Sequence, residues 1–156
     1  MEKAIKKIIV HAKTNPHGVY FLNTQQELKN FYLEGLDKYK TWKAIASIED
    51  WLPVDKNFLQ DFRKKLDERK IKTRVIFKKS GLKFEPEGLK HRKVKVIPPS
   101  YKFRSSIDIL DDKILIMNPD LNVLGLVVEI DSILDIFNDI FDLLWDTLPE
   151  PKRKKL

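Results

Sequence analysis

The chain contains no cysteine, which excludes disulfide frameworks and thiolate metal sites and makes a cytoplasmic location the expectation. Its five glycines are too few and too scattered for a phosphate-cradling loop, and no GxGxxG, GxxxxGK[ST] or GxSxG pattern occurs. Histidine is scarce too. His11, His17 and His91 form no HxxxH or HExxH pair, so neither a metal nor another cofactor is expected. No apolar run approaches the roughly 20 residues that span a bilayer; the most apolar stretch, LNVLGLVVEI, ends at Ile130, and no membrane partner is expected. The basic opening MEKAIKKIIVHAK lacks the long apolar core and small-residue cleavage site of a signal peptide.

What is present is one domain's worth of chain: 156 residues, 42% hydrophobic, with nine Phe, three Trp and four Tyr, enough for an ordinary core. The net charge of +7 conceals an asymmetry. Between Arg63 and Arg104 there are 16 Lys or Arg against 4 Asp or Glu, and between Ser105 and Glu150 there is 1 against 11. The tail PKRKKL adds four more positive charges. Two readings stand. The blocks neutralise each other, within one fold or across a dimer, or the basic block attracts an anionic partner such as nucleic acid.

Hydrophobic periodicity predicts the element order α-β-α-β-α-β-β-β-β-β-α. A short helix over residues 2–13 is followed by a strand at Val19–Leu22, then a helix to about Leu36 capped by Asn23 or Thr24, with Glu27 near the capping-box position. Trp42–Ser47 reads as a strand, Glu49–Lys56 as irregular around Pro53, and Asn57–Arg69 as an amphipathic helix with Phe58, Leu59, Phe62 and Leu66 inward. Strands follow at Ile71–Phe77 and Lys93–Ile97, with one helical turn expected near Pro86–Lys90. Ser106–Leu110 and Lys113–Met117 read as a hairpin turning at Asp111-Asp112, and Leu124–Ile130 as a buried strand. From Asp131 to Leu148 a broad apolar face (Ile133, Leu134, Ile136, Phe137, Ile140, Phe141, Leu144, Leu148) is expected opposite a stripe of Asp135, Asp139, Asp142 and Asp146. Asp142 and Asp146 fall near the helix C-terminus, where the dipole disfavours anions, which points to a basic partner surface compensating them. Alternating early strands and hairpin-linked later ones imply an α/β fold: a mixed sheet flanked by helices on both faces, closed by a long amphipathic helix.

Candidate chemistry is sparse. His11 and Lys13 form an HxK pair, but Gly18 stands where an HxKxxxxD phosphoryl-transfer motif needs its Asp. The aspartates of the last helix lie along one stripe with no basic or aromatic residue among them, which reads as a solvated face. The basic segment carries aromatics; Phe62 and Phe77 fall on inward faces, leaving Phe84, Tyr101 and Phe103 free to stack on bases. Its candidate nucleic-acid contacts are Arg63, Lys64, Lys78, Lys79, Arg92, Lys93, Lys102 and Arg104.

An ordered set of local patterns runs from about Pro16 to Trp145: GVYFL and a helix ending FYLEGL; WKAIAS; FLQDFRKKLDERKIKTRVIF; VKVIPPSYKFRSSIDILDDKILIMN; and LGLVVEIDSILDIFNDIFDLLW. In this order they resemble the C-terminal effector domain of TrmB-like transcriptional regulators, a degenerate relative of the phospholipase D fold. The resemblance implies a phospholipase D-like scaffold over residues 16–149, between an N-terminal helix or linker (1–15) and a basic tail (150–156). No winged helix fits before Val19, so an effector domain without one is expected. Where phospholipase D-like enzymes carry HxKxxxxD, aligning the Asp on Asp111 puts Arg104 and Ser106 at the His and Lys positions. The resemblance therefore implies a non-catalytic domain that senses a ligand or dimerises, with Arg104, Ser106, Asp108 and Asn118 as candidate ligand-binding residues. The alternative is non-sequence-specific nucleic-acid binding through residues 63–104 and the C-terminal tail. Candidate partners are a sugar-like small-molecule effector, nucleic acid and a second copy of the chain. A third reading is a purely structural protein that pairs through its final helix.

Overall fold

The computed structural model describes residues 18–51, 55–118 and 124–151; the expected N-terminal helix and the tail from residue 152 lie outside the described residues. The described elements are β1 (Val19–Leu22), α1 (Gln25–Lys38), β2 (Thr41–Ala46), α2 (Ile48–Trp51), α3 (Lys56–Glu68), β3 (Lys72–Lys78), a 3-10 helix (Lys79–Phe84), β4 (Arg92–Ile97), β5 (Ser106–Ile109), β6 (Ile114–Met117), β7 (Gly125–Val128) and α4 (Asp131–Thr147). The strands form one mixed sheet in the order β1-β7-β6-β5-β2-β3-β4. β2, β3 and β4 are parallel, β5 to β7 form an antiparallel meander against β2, and β1 closes the far edge antiparallel to β7.

Local chemistry explains several boundaries. Thr24 caps α1, its Oγ1 accepting from the Glu27 amide at 3.1 Å and satisfying one orphan donor of the first turn, while Glu27 Oε2 accepts from the amide of Asn23, just before the cap, at 2.6 Å. Asp55 does the same for α3 through the Phe58 amide at 3.0 Å. The Asp111-Asp112 hairpin forms, with the Leu110 amide donating to the Lys113 carbonyl at 2.9 Å. The helical turn expected near Pro86–Lys90 is absent; it lies earlier, at Lys79–Phe84. Gly81 allows it, because there a Cβ would stand 2.8 Å from the ring of Phe77.

Alternation along the strands sends Trp42, Ala44, Val75, Phe77 and Leu115 towards α1 and α3, and Ile45, Ile76, Ile109 and Ile114 towards α4. α4 sits differently from expectation. Leu134, Phe141 and Trp145 are its buried residues, whereas Ile136 and Ile140, expected inward, are exposed. The reason lies in the sheet. Lys43 and Arg74 stand side by side in register on the face that α4 covers, and the helix turns Asn138 and Asp142 towards them. Asp142 pairs with Lys43 at 3.0 Å and with Arg74 at 3.2 Å, and Asn138 Oδ1 accepts from Lys43 at 3.1 Å. The stripe of four aspartates is therefore not a uniformly solvated face. No helix among the described residues is long and apolar enough to cross a membrane.

Candidate functional site

The C-terminal ends of β2 and β3 meet the start of β5, and a charged cluster occupies that junction. Ser47 follows β2 and is fully buried; its amide donates to Ser106 Oγ at 2.9 Å. Ser47 Oγ donates to Asp50. Arg104 reaches the same carboxylate through Nε at 3.3 Å, with over half its side chain exposed. Lys78, at the end of β3, lies 2.7 Å from Glu49 and 3.6 Å from Asp50, and Ser80 Oγ donates to Glu49 at 2.9 Å. Burial pushes both carboxyls up, but these hydrogen bonds and the Lys78 charge outweigh it and hold Glu49 and Asp50 below the usual carboxylate range. Two cations and two carboxylates thus cancel where the sheet presents its strand ends. Among the described residues, no group of three or more His, Asp or Glu converges as a metal-binding set.

Asp108 lies one alternation along β5 from Ser106, on the face covered by α1 and α3. It accepts from the Tyr32 hydroxyl at 2.8 Å and from Trp42 Nε1 at 3.1 Å. Tyr32 and Trp42 stack, and Phe62 packs against both. Burial pushes the Asp108 carboxyl up to about 6, against the opposing pull of its two donors and of Arg92. Ser106 and Asp108 border a cavity of about 90 Å³ between the sheet and α3, walled also by Tyr32, Trp42, Phe62 and Arg63. That is well below the roughly 300–1,000 Å³ of ordinary ligand pockets. Of the four candidate ligand residues, the structure brings Ser106 and Asp108 together at this cavity. Arg104 stands outside it in the ion cluster. Asn118 follows β6, where its amide donates to the Leu124 carbonyl at 3.3 Å.

The candidate nucleic-acid contacts divide. Lys64, Lys79, Lys93, Lys102 and Arg104 are exposed. Lys78 is taken up by the ion cluster. Arg63 is buried and donates to the Phe84 carbonyl at 2.8 Å; burial and the neighbouring Arg92 charge lower its pKa to about 10, so it stays cationic at neutral pH. Arg92 is engaged through Nε and Nη2 with Glu85, and its side chain is only 7% exposed. Arg63 and Arg92 therefore brace α3, β4 and the loop between them and present no charge to solvent. Of the three aromatics expected to be free, Tyr101 is exposed, Phe84 packs against Phe77 and its neighbours, and Phe103 lies beneath the Lys78 ammonium. Sequence reading missed Ser47, Glu49 and Lys78 as one cluster, and Tyr32 and Trp42 as the partners of Asp108. Ser47 and Asp50 are three positions apart, but the other pairings have no local signal, since they join residues 66 and 76 positions apart for Asp108 and 54 for Arg104 with Asp50.

No protein-family model and no curated protein sequence matches the chain. Solved structures do. TrmBL2, described as an archaeal chromatin protein with a novel mode of DNA binding, superposes with a TM-score of 0.59 at 15% identity over 96% of this chain. The chain spans only 60% of TrmBL2. NucT from Helicobacter pylori gives 0.59 at 12% identity, covering 85% of this chain and 97% of that one. Nuc from Salmonella typhimurium, a phospholipase D family member, gives 0.53 at 8% identity, covering 86% and 98%. At these identities the likeness shows the fold: a mixed sheet between helices, built as in the phospholipase D family.

Proposed function

We propose, with the phospholipase D-type fold as premise, that the chain is a non-catalytic domain that associates with nucleic acid through its basic surface without reading sequence. One observation carries this reading. Of the 16 basic residues between Arg63 and Arg104, ten are exposed, and ion pairs among the described residues engage only Arg69 and Arg104 of those ten. Mutual neutralisation of the two charge blocks would demand many bridges between them. Arg74–Asp142 is such a bridge, but the other side chains of the 63–104 basic block that pair among the described residues do so with Asp37, Glu49, Asp50, Asp61 and Glu85, outside the acidic block. The lysines left over keep their charge for a partner, and the fold is shared with a chromatin protein described as binding DNA.

The non-catalytic part rests on chemistry. Arg104 holds the position that the resemblance assigns to the nucleophilic histidine, and a guanidinium stays protonated and cannot attack phosphorus. Ser106, at the lysine position, is uncharged, and its oxygen is occupied by the Ser47 amide.

Fluorescence anisotropy with labelled single-stranded and duplex oligonucleotides, at about 50 and about 200 mM salt, tests the association. Phosphate contacts release counterions, so each contributes about 0.7–0.9 to the slope of log K against log salt. Binding that weakens steeply with salt and is the same for unrelated sequences is expected; no binding at the lower salt would refute it. A second reading, a small-molecule effector domain, is favoured by the cavity beside Ser106 and Asp108. A thermal-shift screen with sugars and phosphosugars tests it, and a ligand-dependent rise in melting temperature that Asp108→Asn abolishes would establish it over the first.

A further inference from the structure

The resemblance puts the phosphoryl-transfer positions at Arg104 and Ser106, beside the strand ends that carry Ser47 and Lys78. In this chain that end is the wrong place to look for a phosphate. Glu49 and Asp50 already neutralise Lys78 and Arg104 there, and an incoming phosphate would face two carboxylates. The surplus charge gathers at the opposite end of the same strands. Below α4, at the N-terminal ends of β2, β3 and β4, lies an open hollow of about 430 Å³. Its walls carry Lys43, Lys72, Arg74, Lys90, His91 and Lys93, with two threonines and no carboxylate.

Sheet register explains why these side chains converge. Lys43, Arg74 and Lys93 occupy one row across the three parallel strands, and Thr41 and Lys72 occupy the row before it. Partners in register on parallel strands point to the same face, about 4.8 Å apart between strands, and successive residues on that face are about 6.6 Å apart along a strand. The cations therefore form a grid rather than a single point, which suits the repeated charges of a polymer better than one small anion. The row already holds an oxygen anion at its upper margin: Asp142 of α4 sits between Lys43 and Arg74. Below it, Lys72, Lys90 and Lys93 are exposed and enter none of the ion pairs among the described residues.

We propose that this hollow, and not the strand ends bearing Ser106 and Arg104, is the seat of a nucleic-acid phosphodiester backbone. The proposal rests on the association argued above and assigns it to one surface. A phosphodiester fits better than an acidic peptide because the lining residues are five lysines and arginines, one histidine and two threonines, with no aliphatic or large aromatic residue to receive a peptide's apolar side chains. Sequence independence follows too, since every group in the hollow is suited to phosphate oxygens and the aromatics that could read bases lie elsewhere.

Two charge-matched triple variants separate the sites. The first is Lys72→Ala, Lys90→Ala and Lys93→Ala; the second, around the former catalytic end, is Lys79→Ala, Lys83→Ala and Lys102→Ala. All six side chains are exposed and enter no ion pair among the described residues, so both proteins should unfold at the wild-type temperature, and circular dichroism melts check this. The readout is the slope of log K against log salt for a labelled single strand and a labelled duplex; whichever shows the larger change identifies the form the hollow holds. The first variant is expected to flatten the slope by about 2 to 3, from three lost contacts, and the second to leave it near that of the unaltered chain. Loss in the second variant alone, or equal loss in both, would overturn the hollow while leaving the association standing. If the unaltered chain binds neither oligonucleotide at low salt, the association falls and the hollow with it. Equal competition by polyglutamate would overturn the assignment to phosphodiesters.

Discussion

Replacing Asp108 with asparagine should remove a pH dependence of stability that runs opposite to that of an ordinary paired carboxylate. The folded protein holds this carboxyl at about 6, against an ordinary value of 3.8, because burial penalises the anion more than Tyr32 and Trp42 repay it. Below pH 3.8 the group is neutral in both folded and unfolded chains, and above about 6 it is charged in both. Between those values the folded chain keeps a proton that the unfolded chain has lost. Stability from this group is therefore present at low pH and lost as pH rises through the window, by roughly 3 kcal/mol for a shift of about two units. Asparagine fits the same bonds. Its oxygen accepts from Trp42 and its amide donates to the Tyr32 oxygen, while the Tyr32 hydrogen turns to Met117 Sδ, 2.9 Å away. Urea unfolding of both proteins at several pH values from about 4 to 7.5 gives the stability difference. Asp108→Asn should gain on the wild type by about 2–3 kcal/mol across that range, with most of the gain between pH 4 and 6. A difference that is flat with pH, or that moves the other way, would refute the assignment of Asp108 as a desolvated structural carboxyl.

Two further substitutions probe packing and the ion cluster. Gly35→Ala should destabilise by about 1–2 kcal/mol although alanine is the better helix former by about 1 kcal/mol, because the new Cβ would stand 2.7 and 2.8 Å from the Trp42 ring, which Asp108 and Tyr39 hold in place; a higher melting temperature would contradict this. Lys78→Ala should cost about 1–3 kcal/mol at neutral pH, less than for a fully buried pair because Glu49 is partly solvated. Glu49 and Asp50 lie below their usual range in the folded chain, so the stability they contribute is present above about pH 4 and is lost as pH falls through the folded values. The gap between wild type and Lys78→Ala in urea unfolding should therefore narrow towards about pH 3, and a gap that widens there would show that Lys78 acts by packing alone.

Much of the fold was legible because its signals are local. Seven strands and three of the helices stand within a few residues of the positions that alternation and 3.6-residue periodicity predict, and the Thr24–Glu27 cap and the Asp111-Asp112 hairpin follow from residue types side by side. What periodicity could not supply was the face that tertiary contacts choose. Ile136 and Ile140 belong to the apolar stripe of α4 on a helical wheel, yet Lys43 and Arg74 on the sheet draw Asp142 inward and rotate them out. Arg63 and Arg92 read as surface charge within a basic run. Arg63 in fact follows Phe62 on the buried side of α3 and finds the Phe84 carbonyl, and Arg92 stands in register with Thr73 on the covered face of β4. The hollow was illegible for the same reason: Lys43, Lys72 and Lys93 are distant in sequence and become neighbours only through parallel pairing.

The position of α4 decides which charges remain for a partner. Asp142 and Asp146 near its C-terminus oppose the helix dipole, a cost of some tenths of a kcal/mol each, and the sheet repays it locally. Lys95 Nζ donates to the Trp145 carbonyl at 2.5 Å and lies over the Trp145 ring, placing a cation at the helix end where the dipole favours one. Arg74 stacks on Phe141 and Trp145 while it holds Asp142. The helix thus engages Lys43, Arg74 and Lys95, and among the described residues none of its carboxylates pairs with Lys72, Lys90 or Lys93. Had α4 met the sheet with its acidic stripe facing solvent, as a helical wheel suggests, the acids would have been displayed beside the lysines and would have screened them. Pairing with Lys43 and Arg74 cancels the charge of Asp142, the aspartate nearest those cations, while Asp135, Asp139 and Asp146 stay exposed. The basic rim is therefore a consequence of how the last helix packs, and Asp142→Asn should raise nucleic-acid affinity by adding two unpaired cations to the hollow; an unchanged or lower affinity in the anisotropy titration would break the link between packing and binding.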